Sequence, residues 1–72
     1  MVKTVDARGL SCPQPVLMTL DEIKAGTADE IIVMVDSDTS KENVSRAATS
    51  KGWTVAGISA QGDVYNITIK KG

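Results

Sequence analysis

The sequence predicts a two-layer α/β (α+β) sandwich of order β-α-β-α-β-β, in which a mixed four-stranded sheet carries two helices on one face. Three observations carry that expectation. Ile31-Ile32-Val33-Met34-Val35 is a continuous, mostly β-branched run, which reads as a strand paired centrally or covered on both faces. Two stretches with apolar residues at helical spacing each end at a glycine, Gly26 and Gly52. The C-terminal part holds two strand candidates joined by Gln61-Gly62-Asp63, a hairpin signal.

Taken in order, Val2 to Asp6 is a short strand that runs into a loop containing Gly9. The first helix is expected from Pro13 to about Lys24, with Val16, Leu17, Leu20 and Ile23 as its apolar stripe, Met18 off that stripe and exposed, and Gly26 as its stop. After the Ile31–Val35 strand, Asp36-Ser37-Asp38-Thr39-Ser40 supplies turn and cap formers. Thr39 followed by Glu42 has capping-box spacing and is expected to open a second helix with Val44, Ala47 and Ala48 on its packed side. Trp53 to Ala60 and Val64 to Lys70 complete the sheet, and the alternation of Tyr65, Ile67 and Ile69 points those side chains at the helices. A right-handed crossover makes the first two strands parallel, so the loops that follow them leave the same end of the sheet.

A chain of 72 residues is expected to be one domain, residues 1–72, without repeats or linkers. Domains of this size bury only about 60% of their unfolded surface, so chemistry is expected near the surface. The longest apolar run is far short of the about 20 residues of a membrane span, and no signal-peptide core follows Met1. A single cysteine forms no disulfide within the chain, and a reducing cytoplasm is the expected compartment. Eight basic and nine acidic residues, interspersed to a net charge of −1, make no field for a phosphate backbone. Histidine is absent, which excludes a Cys-His nucleophile pair and imidazole metal ligation. No metal and no cofactor are expected.

The chemistry concentrates in Asp6-Ala7-Arg8-Gly9-Leu10-Ser11-Cys12-Pro13-Gln14-Pro15. Proline suits a first helical turn, where N–H groups have no partner in the helix. With Pro13 at the first helical position, Cys12 is the N-cap and the Gln14 N–H is the donor best placed to meet its sulfur. With Ser11 as cap instead, Pro15 falls at the fourth position and forfeits the first helical hydrogen bond. The Cys12 frame is preferred, although Gln14, preceding a proline, is disfavoured in helical conformation. A thiol at a helix N-terminus is acidified, from about 8.5 into a range of roughly 3.5 to 7.5, and is reactive at neutral pH. The competing reading is a small buried side chain, common for free cysteine. With no second cysteine to resolve it, a reactive Cys12 must hand its cargo to another molecule.

The pattern Asp6-x-x-Gly9-Leu10-x-Cys12-Pro13-x-Pro15, on a chain of this length and element order, resembles the TusA/SirA/YedF family of small sulfur-carrier proteins with a CPxP motif. The Arg8 to Pro15 stretch is more similar to YedF-type and stand-alone members than to the tRNA-thiolation carrier. The resemblance implies that Cys12 carries a transferable persulfide sulfur, taken from a donor such as a cysteine desulfurase or rhodanese and given to an acceptor protein, for which a DsrE-like partner is one candidate. It implies a sulfurtransferase-type relay rather than a stand-alone catalyst. Pro13, Gln14 and Pro15 are then expected to shape the exit of the sulfur, and Gly9 to supply a backbone conformation that side chains disfavour. Asp6 either binds loop amides or ends its strand, and Arg8 either stabilises the sulfur anion or is a solvated loop residue. Trp53 is expected in the core or at a sheet edge.

Two other function classes compete. A nucleic-acid or regulatory binding module fits the element order, but Trp53 and Tyr65 are the only aromatic residues and the basic residues form no run beyond Lys70-Lys71. A selenium carrier would load the same thiolate from a different donor.

Overall fold

The computed structural model describes residues 2–10, 14–26 and 28–71. The element order is β1 (Val2–Asp6), α1 (Gln14–Ala25), β2 (Glu30–Val35), α2 (Asp38–Ser50), β3 (Trp53–Gln61) and β4 (Val64–Lys71). The four strands form one mixed sheet in the order β1-β2-β4-β3. β1 is parallel to β2, while β4 is antiparallel to both of its neighbours. The two-layer architecture expected from the sequence is therefore the one observed.

β2 is central by pairing, but only one of its faces is covered: Ile31, Val33 and Val35 are buried and the residues between them are half-buried. Register carries this alternation across the sheet. Val5 lies beside Val33, and Ile31 and Val33 lie beside Ile69 and Ile67. A one-residue slip would turn all of these side chains to solvent, so the register is fixed by burial. Val44 and Ala48 of α2, with Trp53 and Ala28, close the core over that face. Tyr65 packs against it from its rim.

Three differences from the expected elements have physical causes. α1 is rotated about its axis: Pro15 and Thr19 are its buried residues, Val16 and Ile23 of the expected stripe pack against the core together with Met18, and Leu17 is 48% exposed. The Thr19 hydroxyl donates to the Pro15 carbonyl at 2.8 Å, so a polar side chain is buried without an unmet hydrogen bond. That leaves the helix free to turn its larger apolar residues partly outward. α2 begins earlier than the Thr39–Glu42 spacing implies. Its N-cap is Ser37, in extended conformation (φ −147°, ψ 153°), whose Oγ accepts the Ser40 N–H at 3.1 Å. With Asp38 as the first helical residue, Ser40, Val44 and Ala48 share one buried face at four-residue spacing. Gln61 belongs to β3 and pairs with Val64, leaving Gly62-Asp63 as a two-residue turn with Gly62 at φ +61°.

The β3–β4 pairing is interrupted once, by a register shift between Val55 and Gly57. A bulge of this kind twists an open edge and blunts its capacity to recruit another strand. At the far side of the sheet, the Ala7 N–H donates to the Met34 carbonyl at 2.9 Å, so β1 continues to be held to β2 one residue beyond its own end.

Candidate functional site

The parallel β1–β2 pair puts the ends of both strands, and the loops that follow them, at one end of the sheet. Ser11, Cys12 and Pro13 lie outside the described residues, so the N-cap reading of Cys12 and the first-position reading of Pro13 do too. The residues on either side of them are described, and they are tied down.

Upstream, Asp6 is the anchor of a tight turn. Its Oδ1 accepts the Arg8 backbone N–H at 3.2 Å and the Arg8 Nε–H at 2.9 Å, while Oδ2 accepts from Arg8 Nη2 at 2.8 Å. The backbone bond over two residues is an Asx turn, and the two guanidinium bonds make a fork on one carboxylate. Arg8 thus holds Asp6 well below the usual carboxylate range, at about 2, chiefly through the side-chain hydrogen bonds. The same bonds raise the Arg8 value, and the charge of Asp36 adds to them. Both side chains are half exposed, so the pair fixes loop geometry more than it stabilises the fold. Asp6 fills both of the structural places open to it: it is the last residue of β1 and it accepts one loop amide, that of Arg8. Arg8 is a half-exposed loop residue that gives three hydrogen bonds to Asp6, one from its backbone and two from its guanidinium.

Gly9 follows with φ +75°, a conformation that a side chain would strain, as the sequence led us to expect. Its N–H donates to Oδ2 of Asp36 at 2.7 Å. Asp36 is the first residue after β2, so this bond joins the loop after β1 to the loop after β2 across 27 positions of sequence. Leu10, the last described residue before Cys12, is 38% exposed.

Downstream, Gln14 is exposed and Pro15 is fully buried. The first turn of α1 contains no acidic residue, and Lys24 sits in its last turn. The positive end of its dipole is therefore not offset by a carboxylate of its own, and the negative end meets a cation. On the outer side of the helix, Leu17, Leu20, Ile23 and Lys24 border an open groove shared with Lys51.

A second cluster stands at the same end, where α2 starts. The Tyr65 hydroxyl donates to Asp38 Oδ1 at 2.7 Å, Lys41 Nζ lies 3.5 Å from that oxygen, and the Lys41 ammonium sits 4.7 Å from the centroid of the Tyr65 ring. Asp38 is lowered, first by the Tyr65 bond and then by Lys41, and Tyr65 is raised because its hydroxyl donates a hydrogen bond to that carboxylate, which holds the proton on the phenol. The 36–40 segment reads from sequence as a helix cap only, without either carboxylate contact. No local pattern marks them, because Gly9 and Tyr65 each lie 27 residues from their partners. Among the described residues no group of acidic side chains is arranged to hold a metal ion.

Residues 3–71 match the family described as Sulfurtransferase TusA. This chain belongs to the TusA family. A Methanocaldococcus jannaschii protein named as a putative sulfur carrier protein is 36% identical over 73 residues, covering 97% of this chain and 95% of its own. The crystal structure of a SirA-like protein from Desulfitobacterium hafniense superposes with a TM-score of 0.85 at 28% identity, over 100% of this chain and 99% of the other. The TusA family is a sulfur-carrier family, and the mixed four-stranded sheet with its two helices is the SirA-like fold. Among the described residues, no helix is long and apolar enough to cross a membrane.

Proposed function

We propose that this TusA-family protein relays one persulfide sulfur on Cys12 between a donor protein, of the cysteine desulfurase or rhodanese type, and an acceptor protein. The observation that carries this reading is that the chain, a member of a sulfur-carrier family, has a single thiol and places it in Asp6-x-x-Gly9-Leu10-x-Cys12-Pro13-x-Pro15. In the loading step the Cys12 thiolate attacks the terminal sulfur of the donor persulfide. The donor's S–S bond breaks, its thiolate leaves, and a Cys12 persulfide forms. In unloading, an acceptor nucleophile attacks that terminal sulfur and Cys12 leaves as thiolate. Each step exchanges one bond to sulfur for another, so no external oxidant or reductant is consumed.

With no histidine in the chain, ionisation of Cys12 must come from its surroundings. Cys12 precedes Gln14 by two residues, and the first turn of α1 offers partial positive charge with no acid to cancel it. Arg8 contributes through geometry, since its charge is already committed to Asp6. The half-exposed Leu10 and Leu17, on either side of Cys12 in sequence, support docking of protein partners rather than of a small substrate. The one-domain reading and a cytoplasmic location accord with this role.

The test is to incubate the protein with a donor enzyme and its sulfur source, then to measure intact mass without reductant. Wild type is expected to gain one sulfur that a reductant removes, and Cys12→Ser is expected to gain none. Wild type that stays unmodified across several donors, while binding RNA in a salt-sensitive manner with Cys12 dispensable, overturns the relay.

A further inference from the structure

We infer that Asp36 is a positioning residue for transfer at Cys12, acting through the backbone of Gly9; the inference rests on the relay reading above for its functional meaning. Three backbone N–H groups in the segment before Cys12 are held by the sheet, by the segment itself or by the loop after β2. The Ala7 N–H is held by Met34, the Arg8 N–H by Asp6, and the Gly9 N–H by Asp36. Of these, the Gly9 bond is the last described one before the thiol, three residues upstream of it, and is the shortest at 2.7 Å. It is also the only one that reaches a side chain on another element.

Geometry gives the contact its reach. Asp36 lies one residue past Val35, whose side chain is buried, and one residue before the Ser37 cap. Its backbone is thereby fixed on both sides by β2 and α2. Gly9 at φ +75° turns its neighbours in a way no β-branched residue could copy. A carboxylate accepting a backbone N–H makes a charge-assisted bond, stronger than a neutral one. The carboxylate therefore acts as a clamp between a rigid strand end and a loop whose remaining bonds are local.

Geometry and charge at Asp36 are separable by substitution. Asp36→Ala removes both, whereas Asp36→Asn keeps an oxygen that can accept the Gly9 N–H. With a donor that loads wild type, Asp36→Ala is expected to lower kcat for sulfur transfer about tenfold, the kinetic equivalent of one lost hydrogen bond, with KM little changed. Asp36→Asn is expected to restore most of that loss. Amide exchange at Gly9 should accelerate in Asp36→Ala and return toward wild type in Asp36→Asn, at unchanged melting behaviour in the Asn variant. Equal kcat for wild type and Asp36→Ala overturns the positioning role, and unaltered Gly9 exchange overturns the bond itself. If no donor loads wild type, the relay reading fails separately. Iodoacetamide modification of Cys12 then decides the clamp: the same Ala-against-Asn ordering supports it, and identical rates in all three proteins overturn it.

Discussion

The two helices begin at the same end of the sheet and are finished in opposite ways. α2 satisfies its own terminus: Ser37 accepts from the Ser40 N–H, Asp38 places a carboxylate in the first turn, and Tyr65 and Lys41 gather on that carboxylate. α1 carries no acid in its first turn, and the carboxylates at this end of the sheet are directed elsewhere, Asp6 at the end of β1 to Arg8 and Asp36 after β2 to Gly9. One helix terminus is spent on structure. The other keeps its positive end uncompensated beside the residues that flank the chain's single thiol. In a domain too small to enclose an active site, a difference in capping is an economical way to separate a structural turn from the reactive one proposed above.

The difference can be attacked at several points. The largest effect is expected from Pro15→Ala. Pro15 is fully buried, so the substitution removes buried carbon and frees the unfolded chain, costing about 2 kcal/mol. A domain of this size would lose on the order of 10 °C in Tm. Ser37→Ala removes only the α2 cap and is expected to cost about half as much, roughly 1 kcal/mol. Thermal melting of the two variants checks the order, and a Pro15→Ala protein as stable as wild type would make that proline a matter of delivery rather than of packing.

A smaller effect is expected from giving α1 the acid that α2 already has. Gln14→Glu should raise the pH midpoint of Cys12 alkylation by roughly 0.2 to 0.7 units, the worth of one charge at a helix end. The wild-type midpoint itself is expected below the free-thiol value of about 8.5. No response to Gln14→Glu would disconnect the thiol from the helix terminus.

The smallest effect on stability belongs to the exposed Asp6–Arg8 pair. Because Arg8 depresses Asp6 to about 2, its contribution is complete above the unfolded-state range near 4 and fades as pH falls from there toward 2. Carbon chemical shifts of the Asp6 carboxyl should titrate near the lower value in wild type. In Arg8→Ala they should return to the ordinary aspartate range.

The sequence made the sheet and the chain order readable because burial writes them locally. Ile31 to Val35 declare a central strand, Tyr65, Ile67 and Ile69 alternate with the pleat, and Gly26 and Gly52 both take positive φ where the helices stop. The rotation of α1 was hidden because apolar residues occupy both of its sides, and because Thr19 is a polar residue whose hydroxyl is satisfied inside the helix. The Thr39–Glu42 spacing points to a start of α2 that is too late, because neighbouring Ser37 can cap as well; the bond from the Ser40 N–H to the Ser37 Oγ sets the start there. In the site, Gly9 was legible as a backbone requirement. Asp36 was not, since its partner is chosen by the parallel pairing of two strands and leaves no mark in adjacent residues.

The single tryptophan offers an experimental advantage that follows from topology. Trp53 opens β3 opposite Lys71, at the end of the sheet where β2 begins, whereas Asp36 and Gly9 meet where β2 finishes. The length of β2 puts roughly 20 Å between the two ends. Trp53 is only 7% exposed, so its emission reports whether the core is intact and should be nearly blind to the oxidation state of the sulfur. Fluorescence and mass spectrometry therefore give orthogonal channels on one unlabelled sample, and a variant that darkens the first while sparing the second can be told at once from one that does the reverse.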